Sequence, residues 1–351
     1  MNVTHYIGFD VHKKHINFCA KTASGEIVDE GKLVAQRSVL REWAMRQSPW
    51  RGAMEATLFS AWIYDTLKPY GQALEMAHPA MLKAITASKK KNDRIDARTI
   101  SDLVRCDLLP TCYVATPEIR ELRRLLRYRN LVVRESVRMQ NKIAGLLMET
   151  GTPFVKEKLH GKKYFANLLK SLEEVPESVK DLLRLSRGTM EMFQATQKRM
   201  VQQLLANPSL GQRVERLASI AGVGEITALT WALEIGDPHR FSASAKVMSY
   251  CGLTSALKSS ADKQQRGPIS KQRNQWLQTA LIEAAKLAPR WNPQLAALHA
   301  RELEHGHRNR AALAVARELA AYLLAVDKSG HPFQLRTPTA KPTAPLLDRA
   351  G

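Results

Sequence analysis

A change of hydrophobic pattern near Pro117 is the feature that most constrains how this chain folds. Before it, short apolar runs bounded by turn residues recur, as β-strands require. After it the strand pattern fades, and residues 119–148 contain no proline and a single glycine, at position 145. Because strands and helices differ in hydrophobic period, the chain is predicted to form a mixed α/β sheet domain followed by a helical region.

The strand candidates all precede residue 80, and helical stretches separate the later ones. The candidates are residues 6–11, residues 16–20, a strand that starts at residue 27, residues 53–55 and residues 73–77. Helices are predicted at residues 39–46 and 60–67. Three consecutive strands followed by alternating helices and strands favour a mixed α/β sheet domain.

A second helical stretch covers residues 179–205, and its seam steps by four and three residues alternately. The seam consists of Val179, Leu183, Ser186, Met190, Phe193, Gln197, Met200 and Leu204. This repeat is typical of an antiparallel or dimeric coiled coil, and equally of a helical-bundle core. We expect residues 119–148 and 179–205 to pack as a helical stalk that mediates self-association. Residues 329–351 are rich in Pro, Thr, Ala and Lys, which predicts a disordered tail.

The chain carries 53 Lys and Arg against 33 Asp and Glu, a formal net charge of +20. Such an excess repels itself unless a polyanion offsets it, so nucleic acid is the expected class of partner. A protein of the membrane surface is the alternative, but no apolar run is long enough to span a bilayer. The first residues lack a signal-peptide layout and the cysteines form no CxxC pair, so we expect a cytoplasmic protein without disulfides.

Four acidic residues occupy positions from which carboxylates can converge: Asp10, Glu55, Asp93 and Asp96. Asp10 closes the first strand, Glu55 lies on a later strand, and the other two are one helical turn apart on one face. Converging carboxylates supply the hard oxygen ligands that Mg²⁺ prefers, and paired ions stabilise both oxygens exchanged in phosphoryl transfer. Each acid alone is more typical of a turn, a helix cap or a surface ion pair, and that alternative stays open.

Two concentrations of basic residues accompany these acids. The first brackets the paired aspartates and includes Lys89, Lys90, Lys91, Arg94 and Arg98. The second lies within residues 119–148 and includes Arg123, Arg124 and Arg127. Because guanidinium groups donate to phosphate in pairs, both concentrations are predicted to bind a nucleic-acid backbone; the alternative is a solvated, ion-paired surface.

Two segments after Pro208 have the pattern of functional turns. Gly222-Val223-Gly224 resembles a helix-hairpin-helix turn, whose backbone amides hold a phosphate, although a plain helix corner is equally compatible. Residues 252–261 are predicted to be a polar, flexible loop with a serine pair, Ser259 and Ser260, and Lys271 follows it. No local His and Asp accompany the serines, so residue types alone make them ordinary loop residues.

Together these motifs resemble the insertion-sequence-110 family of bacterial transposases, also called DEDD transposases, over residues 6–324. Residues 8–12 match the family's opening motif, Met54-Glu55 its glutamate motif, and residues 92–97 its paired-aspartate motif. Further along, residues 220–224 match its glycine turn and residues 250–271 the loop that holds its nucleophilic serine. Residues 314–319 resemble a late family helix.

The resemblance implies a RuvC-like, ribonuclease-H-fold catalytic domain over residues 1–112. A helical or coiled-coil segment would follow over residues 113–206, and an α-helical C-terminal transposase domain over residues 207–328. The implied metal-binding tetrad for Mg²⁺, as two ions, is Asp10, Glu55, Asp93 and Asp96.

Ser260 takes the place of the family's nucleophilic serine, with Ser259 as the fallback. The resemblance implies that this serine attacks a DNA phosphate beside bound Mg²⁺ and forms a transient phosphoserine link. The chain departs from the family's pattern in this loop, where Ser255, Ala261 and Arg273 replace Pro, Gly and Gly.

The implied activity is the excision and integration of element DNA, in the cytoplasm at the nucleoid. The implied partners are DNA, a structured guide RNA encoded by the element, and further copies of the chain in a dimer or tetramer. RNA pairing would then set sequence choice. Two other classes stay open: a RuvC-like junction-resolving endonuclease, which uses metal-activated water and no serine, and a non-catalytic nucleic-acid-binding protein.

Overall fold

The computed structural model describes residues 4–85, 93–260 and 263–334. The chain divides into two compact units, Met1–Val114 and Ala115–Gly351. Each unit has hydrophobic cores of its own. Across the described residues, no helix combines the length and the apolar composition needed to cross a membrane.

The described part of the first unit is a five-stranded mixed sheet with helices, which confirms the predicted α/β start. Its strands are β1 His5–Val11, β2 His15–Lys21, β3 Ile27–Val34, β4 Trp50–Glu55 and β5 Ala73–Ala77. Its helices are α1 Arg37–Met45, α2 Ser60–Leu67, α3 Pro79–Ile85 and α4 Asp93–Arg105. The strand order is β3-β2-β1-β4-β5, in which β1, β2 and β3 pair antiparallel whereas β1, β4 and β5 pair parallel.

Alternation along β1 directs its side chains into two different cores. Ile7 and Phe9 are fully buried and share one core with Leu40 of α1 and Ile63 of α2. Gly8 lies on the other face, directly beneath the backbone of α4. Burying one such Ile or Phe side chain stabilises the fold by about 1.5–3 kcal/mol, and a slip by one residue would exchange the two faces. The apolar alternation therefore fixes which face each polar residue of β1 occupies.

The second unit is mostly helical, as predicted. Its helices are α5 Pro117–Glu149, α6 Lys162–Lys170, α7 Glu177–Leu205, α8 Pro208–Ala218, α9 Glu225–Ile235, α10 Ser244–Tyr250, α11 Gln275–Leu287, α12 Pro293–Glu304 and α13 Arg308–Ser329. Its two strands among the described residues are β6 Ser255–Ser260 and β7 Lys263–Ile269.

The two long helices α5 and α7 pack against each other and run antiparallel. Leu126 of α5 shares a core with Leu204 of α7, whereas Leu147 near the other end of α5 shares a core with Leu183. The predicted seam is buried at Leu183, Met190 and Leu204, inside a single chain. The packing of the two helices is therefore confirmed, while a coiled coil and self-association stay predictions.

The prediction of a flexible loop at residues 252–261 is wrong over Ser255–Ser260, which form β6, and Ala261 lies outside the described residues. Strand β6 pairs antiparallel with β7, with a register shift between Ser255 and Leu257. Ladder hydrogen bonds use backbone groups that every residue carries except the proline nitrogen. A polar segment can therefore pair as a strand without showing the apolar alternation by which strands are recognised.

The last described residues pack against other parts of the second unit, to which they belong. Helix α13 ends at Ser329, and Gly330 takes the left-handed conformation that ends a helix, at φ 70°. The rings of Phe333 and Tyr322 lie 4.9 Å apart, and the Phe333 amide donates to Ser219 Oγ at 2.7 Å. The remainder of the predicted tail, residues 335–351, lies outside the described residues.

Candidate active site

Asp10 and Glu55 lie at the C-terminal ends of neighbouring parallel strands, at the same edge of the sheet. Phe9 pairs with Met54, so these two carboxylates are the next residues in register. Phe9 and Met54 are buried in the core on one face. Since side chains alternate along a strand, both carboxylates lie on the opposite face, which Ala53 shares with apolar residues of α4. The Asp10 side chain is 15% exposed and Glu55 is half-buried, so both are accessible at the rim of this face.

Helix α4 lies against β1 because Gly8 has no side chain. A Cβ at this position would stand 2.1 Å from the carbonyl oxygen of Ala97 and 2.4 Å from the amide nitrogen of Ser101. Ser101 Oγ donates to the carbonyl oxygen of Tyr6 at 2.8 Å. The backbone of the helix is thereby held directly over the strand that carries Asp10.

Helix α4 runs opposite to β1, so that its first turn is nearest the edge where Asp10 lies. Arg105 at its end reaches the carbonyl oxygen of Ala23, beyond the far edge of β1. Asp10 lies two residues beyond Gly8, about 7 Å along the strand, a distance that corresponds to about four residues of helix. Asp10 is therefore level with the first turn of α4, which contains Asp93 and Asp96.

His12 is a contact of Asp10 to which the sequence motif assigned no role. Its Nε2 lies 2.9 Å from Asp10 Oδ2, and its ring centroid is 4.9 Å from that of His15. His12 lies two positions after Asp10, which puts their side chains on one side of the strand end. That spacing was the available signal, since a His two positions beyond a strand-end Asp can orient the carboxylate.

Two ion pairs fasten α4 to the sheet. Lys21 Nζ lies 2.5 Å from Asp102 Oδ2, and the Lys21 side chain is 9% exposed. Arg98 donates two hydrogen bonds to Glu30, at 2.8 and 2.9 Å, and this pairing raises the pKa of Arg98. Arg98 is one of the bases around the paired aspartates, so this part of the basic segment forms a structural ion pair.

The carboxylates fit a hard divalent cation by their chemistry, since every donor is a carboxylate oxygen. The described residues contain no cluster of three or more His, Cys, Asp or Glu side chains that could hold a metal ion. The side chain of Asp93 lies outside the described residues, whereas Asp96 is described and half-buried. Convergence of all four acids therefore stays a prediction.

The serine pair lies at the end of β6, where Ser259 pairs with Gln264 and Ser260 with Lys263. The side chains of both serines lie outside the described residues. The base of the hairpin is closed by the backbone amide of Asn274, which donates to the carbonyl oxygen of Tyr250 at 2.9 Å. The two serines therefore lie at the end of a hairpin strand whose base is hydrogen-bonded to the helical part of the unit.

Hydrogen bonds to the turn before β6 hold the same base in place. Gln278 Nε2 donates to the carbonyl oxygen of Gly252 at 2.6 Å, and Arg317 Nε donates to that of Leu253 at 2.7 Å. Gly252 has φ 69°, and a Cβ there would meet the side chain of Arg273 at 2.4 Å. Arg273, one of the three departures from the family's pattern, therefore packs directly on a glycine that has no room for a side chain.

The glycine turn before α9 contains two glycines with different roles. Gly222 has φ 96°, and a Cβ there would lie 2.5 Å from Ala288 Cβ, so both conformation and packing require glycine. Gly224 precedes α9 with an ordinary negative φ of −83°, and nothing lies within 4 Å of where its Cβ would be. The open side of Gly224 leaves the start of α9 accessible, which a phosphate-binding turn requires.

Two known protein families match these two regions of the chain. A family of transposases, the IS110 DEDD type, matches residues 7–152, and the family described as "Transposase IS116/IS110/IS902 family" matches residues 214–300. The first match spans the four acids and the second spans the glycine turn and the serine hairpin. The chain belongs to the IS110 family of transposases.

Three curated relatives show how far the likeness of this family member extends. A "Probable family 20 transposase" of Pseudomonas aeruginosa is 24% identical over 289 residues, which cover 81% of this chain and 84% of the relative. The "Transposase for insertion sequence element IS1111A" of Coxiella burnetii is 29% identical over 234 residues, 64% of this chain and 61% of the relative. The "Transposase for insertion sequence element IS1328" of Yersinia enterocolitica is 25% identical over 339 residues, 95% of this chain and 99% of the relative.

Arg123 and Arg127 of this IS110-family protein are held by internal partners. Arg127 donates to both carboxylate oxygens of Glu234, each at 2.8 Å, and the Glu234 side chain is 1% exposed. Arg123 donates two hydrogen bonds to the carbonyl oxygen of Leu233, at 3.0 and 2.7 Å. Arg124 between them is exposed. The three arginines predicted to contact nucleic acid therefore differ in how far their guanidinium groups are available to bind a phosphate.

The other predicted contacts are distributed between the two units. Lys271 is exposed and lines a cleft of about 770 Å³ with Arg273, His307 and Arg310. Lys89, Lys90 and Lys91 lie outside the described residues, and Arg94 lies in α4 with a side chain outside them.

Proposed function

We propose that this IS110-family protein excises and integrates the DNA of an insertion sequence by metal-dependent strand cleavage and exchange. The observation that carries the proposal is the register of β1 and β4, which brings Asp10 and Glu55 to one edge and one face of the sheet. The strand order β3-β2-β1-β4-β5 supports a RuvC-like, ribonuclease-H-type fold for this unit.

The residues that would hold Mg²⁺, as two ions, are Asp10, Glu55, Asp93 and Asp96. Bound Mg²⁺ would neutralise charge that develops on the phosphate oxygens during strand cleavage. Asp10 and Glu55 approach from strand ends, and Asp96 from a helix that Gly8 admits to the sheet. His12, hydrogen-bonded to Asp10, would fix the direction in which that carboxylate points.

We propose Ser260 as the nucleophile, with Ser259 as the fallback. Its hydroxyl oxygen would bond to the phosphorus and lose its proton, while one bridging P–O bond breaks and releases a sugar hydroxyl. The resulting phosphoserine ester keeps the energy of the broken bond, so a second sugar hydroxyl can reverse the step and join a new strand. The hairpin's fixed base supports this role, because a nucleophile has to be held in place.

Nucleic acid is the proposed partner in two forms, element and target DNA and a structured guide RNA. The net charge of +20 supports it. The proposed contacts are Lys89, Lys90, Lys91, Arg94, Arg123, Arg124, Arg127, Gly222, Gly224 and Lys271. Of these, exposed Arg124 and Lys271 and the open glycine Gly224 are supported by their accessibility. Self-association as a dimer or tetramer is proposed as well, and light scattering of the purified protein tests it.

The test is cleavage of DNA that carries element ends and target, with Mg²⁺, followed by a denaturing gel for protein–DNA adducts. Asp10→Asn and Ser260→Ala are each expected to lower recombination by roughly 10³-fold or more. Asp29→Asn is the matched control, because Asp29 is exposed on β3. Chelation of the metal should abolish the adduct.

Other outcomes of the same experiment identify the alternatives. Loss in Ser259→Ala alone would assign the nucleophile to the fallback residue. If Asp10→Asn abolishes cleavage while the single and double serine variants remain fully active, the protein is a junction-resolving endonuclease. Binding without any cleavage by the unmodified protein would make it a non-catalytic nucleic-acid-binding protein.

A further inference from the structure

A cleft between α5, α9 and α11 lies within the second unit. Its volume is about 480 Å³. Its lining includes Trp276, Gln275 and Thr279 of α11, Asn130 and Arg134 of α5, and Thr227 of α9. We propose that this cleft holds an unpaired nucleobase, stacked on Trp276, of the nucleic acid that the protein binds. The inference rests on the proposed function, since it assumes a nucleic-acid partner.

Trp276 lies in the capped first turn of α11, with its ring beside a guanidinium group. Asn274 caps this helix, and its Oδ1 accepts hydrogen bonds from the Trp276 and Leu277 amides at 3.0 and 3.2 Å. The Arg127 guanidinium lies 5.7 Å from the centre of the Trp276 ring, and Glu234 holds Arg127 in place. A stacking platform needs such pre-organisation, because an ordered ring loses little entropy when a base binds.

The position of Trp276 does not follow from core packing. The buried side of α11 consists of Leu277, Leu281, Ala284 and Ala285, and Trp276 belongs to none of the described hydrophobic cores. Trp231 of α9 shows the contrast, since it is fully buried and donates through Nε1 to Asp327 at 2.9 Å. A half-buried Trp that lines a cleft beside a cation is instead typical of base-stacking sites.

The polar groups of the cleft match the edges of a nucleobase. Asn130 and Gln275 carry amides that both donate and accept, and the hydroxyls of Thr227 and Thr279 do the same. Such groups adapt to any base, so the site is expected to tolerate sequence changes. A duplex does not offer the required partner, because its bases are already stacked on each other, so the cleft favours unpaired strands.

The charges around the cleft favour a phosphodiester strand. Arg134 is exposed at the rim and has no ion-pair partner among the described residues. Glu283 is the carboxylate at the rim, and Lys286 lies 2.6 Å from it, which offsets its charge. Arg134 can therefore contact the phosphate beside a bound base.

The experiment measures the affinity of the full chain for labelled single strands by fluorescence anisotropy at one fixed salt concentration, and at a series of salt concentrations for Arg134→Ala and the unmodified protein. The probes are DNA and RNA oligonucleotides of one length, and a DNA strand of that length without bases. Trp276→Ala and Trp276→Leu should weaken binding to base-bearing strands by roughly 5- to 150-fold, the range for loss of one stacked base. Trp276→Phe keeps an aromatic ring and should stay close to the unmodified protein. Trp291→Ala is the matched control, since Trp291 is 59% exposed in the same unit and does not line this cleft.

The strand without bases separates stacking from charge. The unmodified protein should bind it more weakly than the base-bearing strand, and Trp276→Ala should lose that difference. Arg134→Ala should weaken binding to both strands alike and reduce the salt dependence. The affinities for the DNA and the RNA oligonucleotides show which of the two the cleft prefers.

Two results would overturn the inference. Equal affinity of Trp276→Leu, Trp291→Ala and the unmodified protein for base-bearing strands would remove Trp276 from the site, while the proposed function would stand. A loss of affinity in Trp276→Leu that is as large, as a fold-change, on the strand without bases as on the base-bearing strand would show a merely structural effect. Failure of the unmodified protein to bind any nucleic acid would instead contradict the proposed function itself.

Discussion

The carbonyl oxygen of Ala97 lies 2.1 Å from where a Cβ on Gly8 would stand, so at Gly8 this strand and helix touch backbone to backbone. The contact sets how closely α4 approaches β1, and α4 carries Asp93 and Asp96. The spacing of the candidate metal site therefore depends on a residue that carries no functional group.

Gly8→Ala should separate α4 from the sheet. We expect a loss of about 1–3 kcal/mol in the free energy of unfolding, since backbone atoms cannot move aside as a flexible side chain can. Strand cleavage should fall further than stability explains, because Asp96 moves away from Asp10. Denaturant titration and the cleavage assay measure the two effects.

Gly188→Ala provides the matched control for that substitution. Gly188 lies inside α7, and nothing stands within 4 Å of its Cβ position. Alanine there should stabilise the protein by about 0.5–1 kcal/mol through helix propensity. Equal destabilisation by the two alanines would contradict the proposed contact between Gly8 and α4.

Met190→Asp should disrupt the packing of α5 on α7. Met190 is 1% exposed and belongs to the core shared by those helices, so a carboxylate there would be buried without a partner. We expect a loss of about 3 kcal/mol or more, and a lower Tm in thermal unfolding. Met192→Asp, on the same helix but 57% exposed, should change Tm little. A similar Tm for both variants would contradict the described orientation of α7.

Glu234→Ala should destabilise the second unit and loosen the base of the serine hairpin. The substitution removes the carboxylate to which Arg127 donates and to which the Asn274 side-chain amide donates at 2.9 Å. Because the Arg127 side chain is 43% exposed, we expect about 2–4 kcal/mol, less than for a fully buried pair. A double-mutant cycle with Arg127→Ala measures the coupling. Additive losses would show that the two side chains do not interact.

The four cysteines should differ in their rate of alkylation at pH 8. Burial raises the pKa of the Cys251 thiol to about 12, and it raises the pKa of Cys19 and Cys112 as well. The thiolate is the reactive form, so a raised pKa slows the reaction at any pH below it. Cys106 is exposed and should react first, and Cys251 only on unfolding. Peptide mapping after a short exposure to iodoacetamide reads the order, and early labelling of Cys251 would contradict its burial.

Elements whose apolar pattern is local could be predicted from the sequence. The apolar alternation around Ile7 and Phe9 specifies a strand and the face of each residue, and the proline-free run after Pro117 specifies a long helix. These signals are reliable because the period of an apolar pattern reflects how each element meets its own core. The carboxylates at strand ends could be named for the same reason, since their places follow from where the apolar runs stop.

Contacts between polar groups, in contrast, depend on how distant elements pack. Arg124 and Arg127 look alike in the sequence, yet Arg124 is exposed while Arg127 is paired with Glu234, a residue 107 positions away. The serine segment became a hairpin because β7 supplied backbone partners, and Trp276 lines a cleft because α5 and α9 pack beside α11. Charge and hydrogen bonding carry no period along the chain, so their partners are fixed only when packing brings distant elements together.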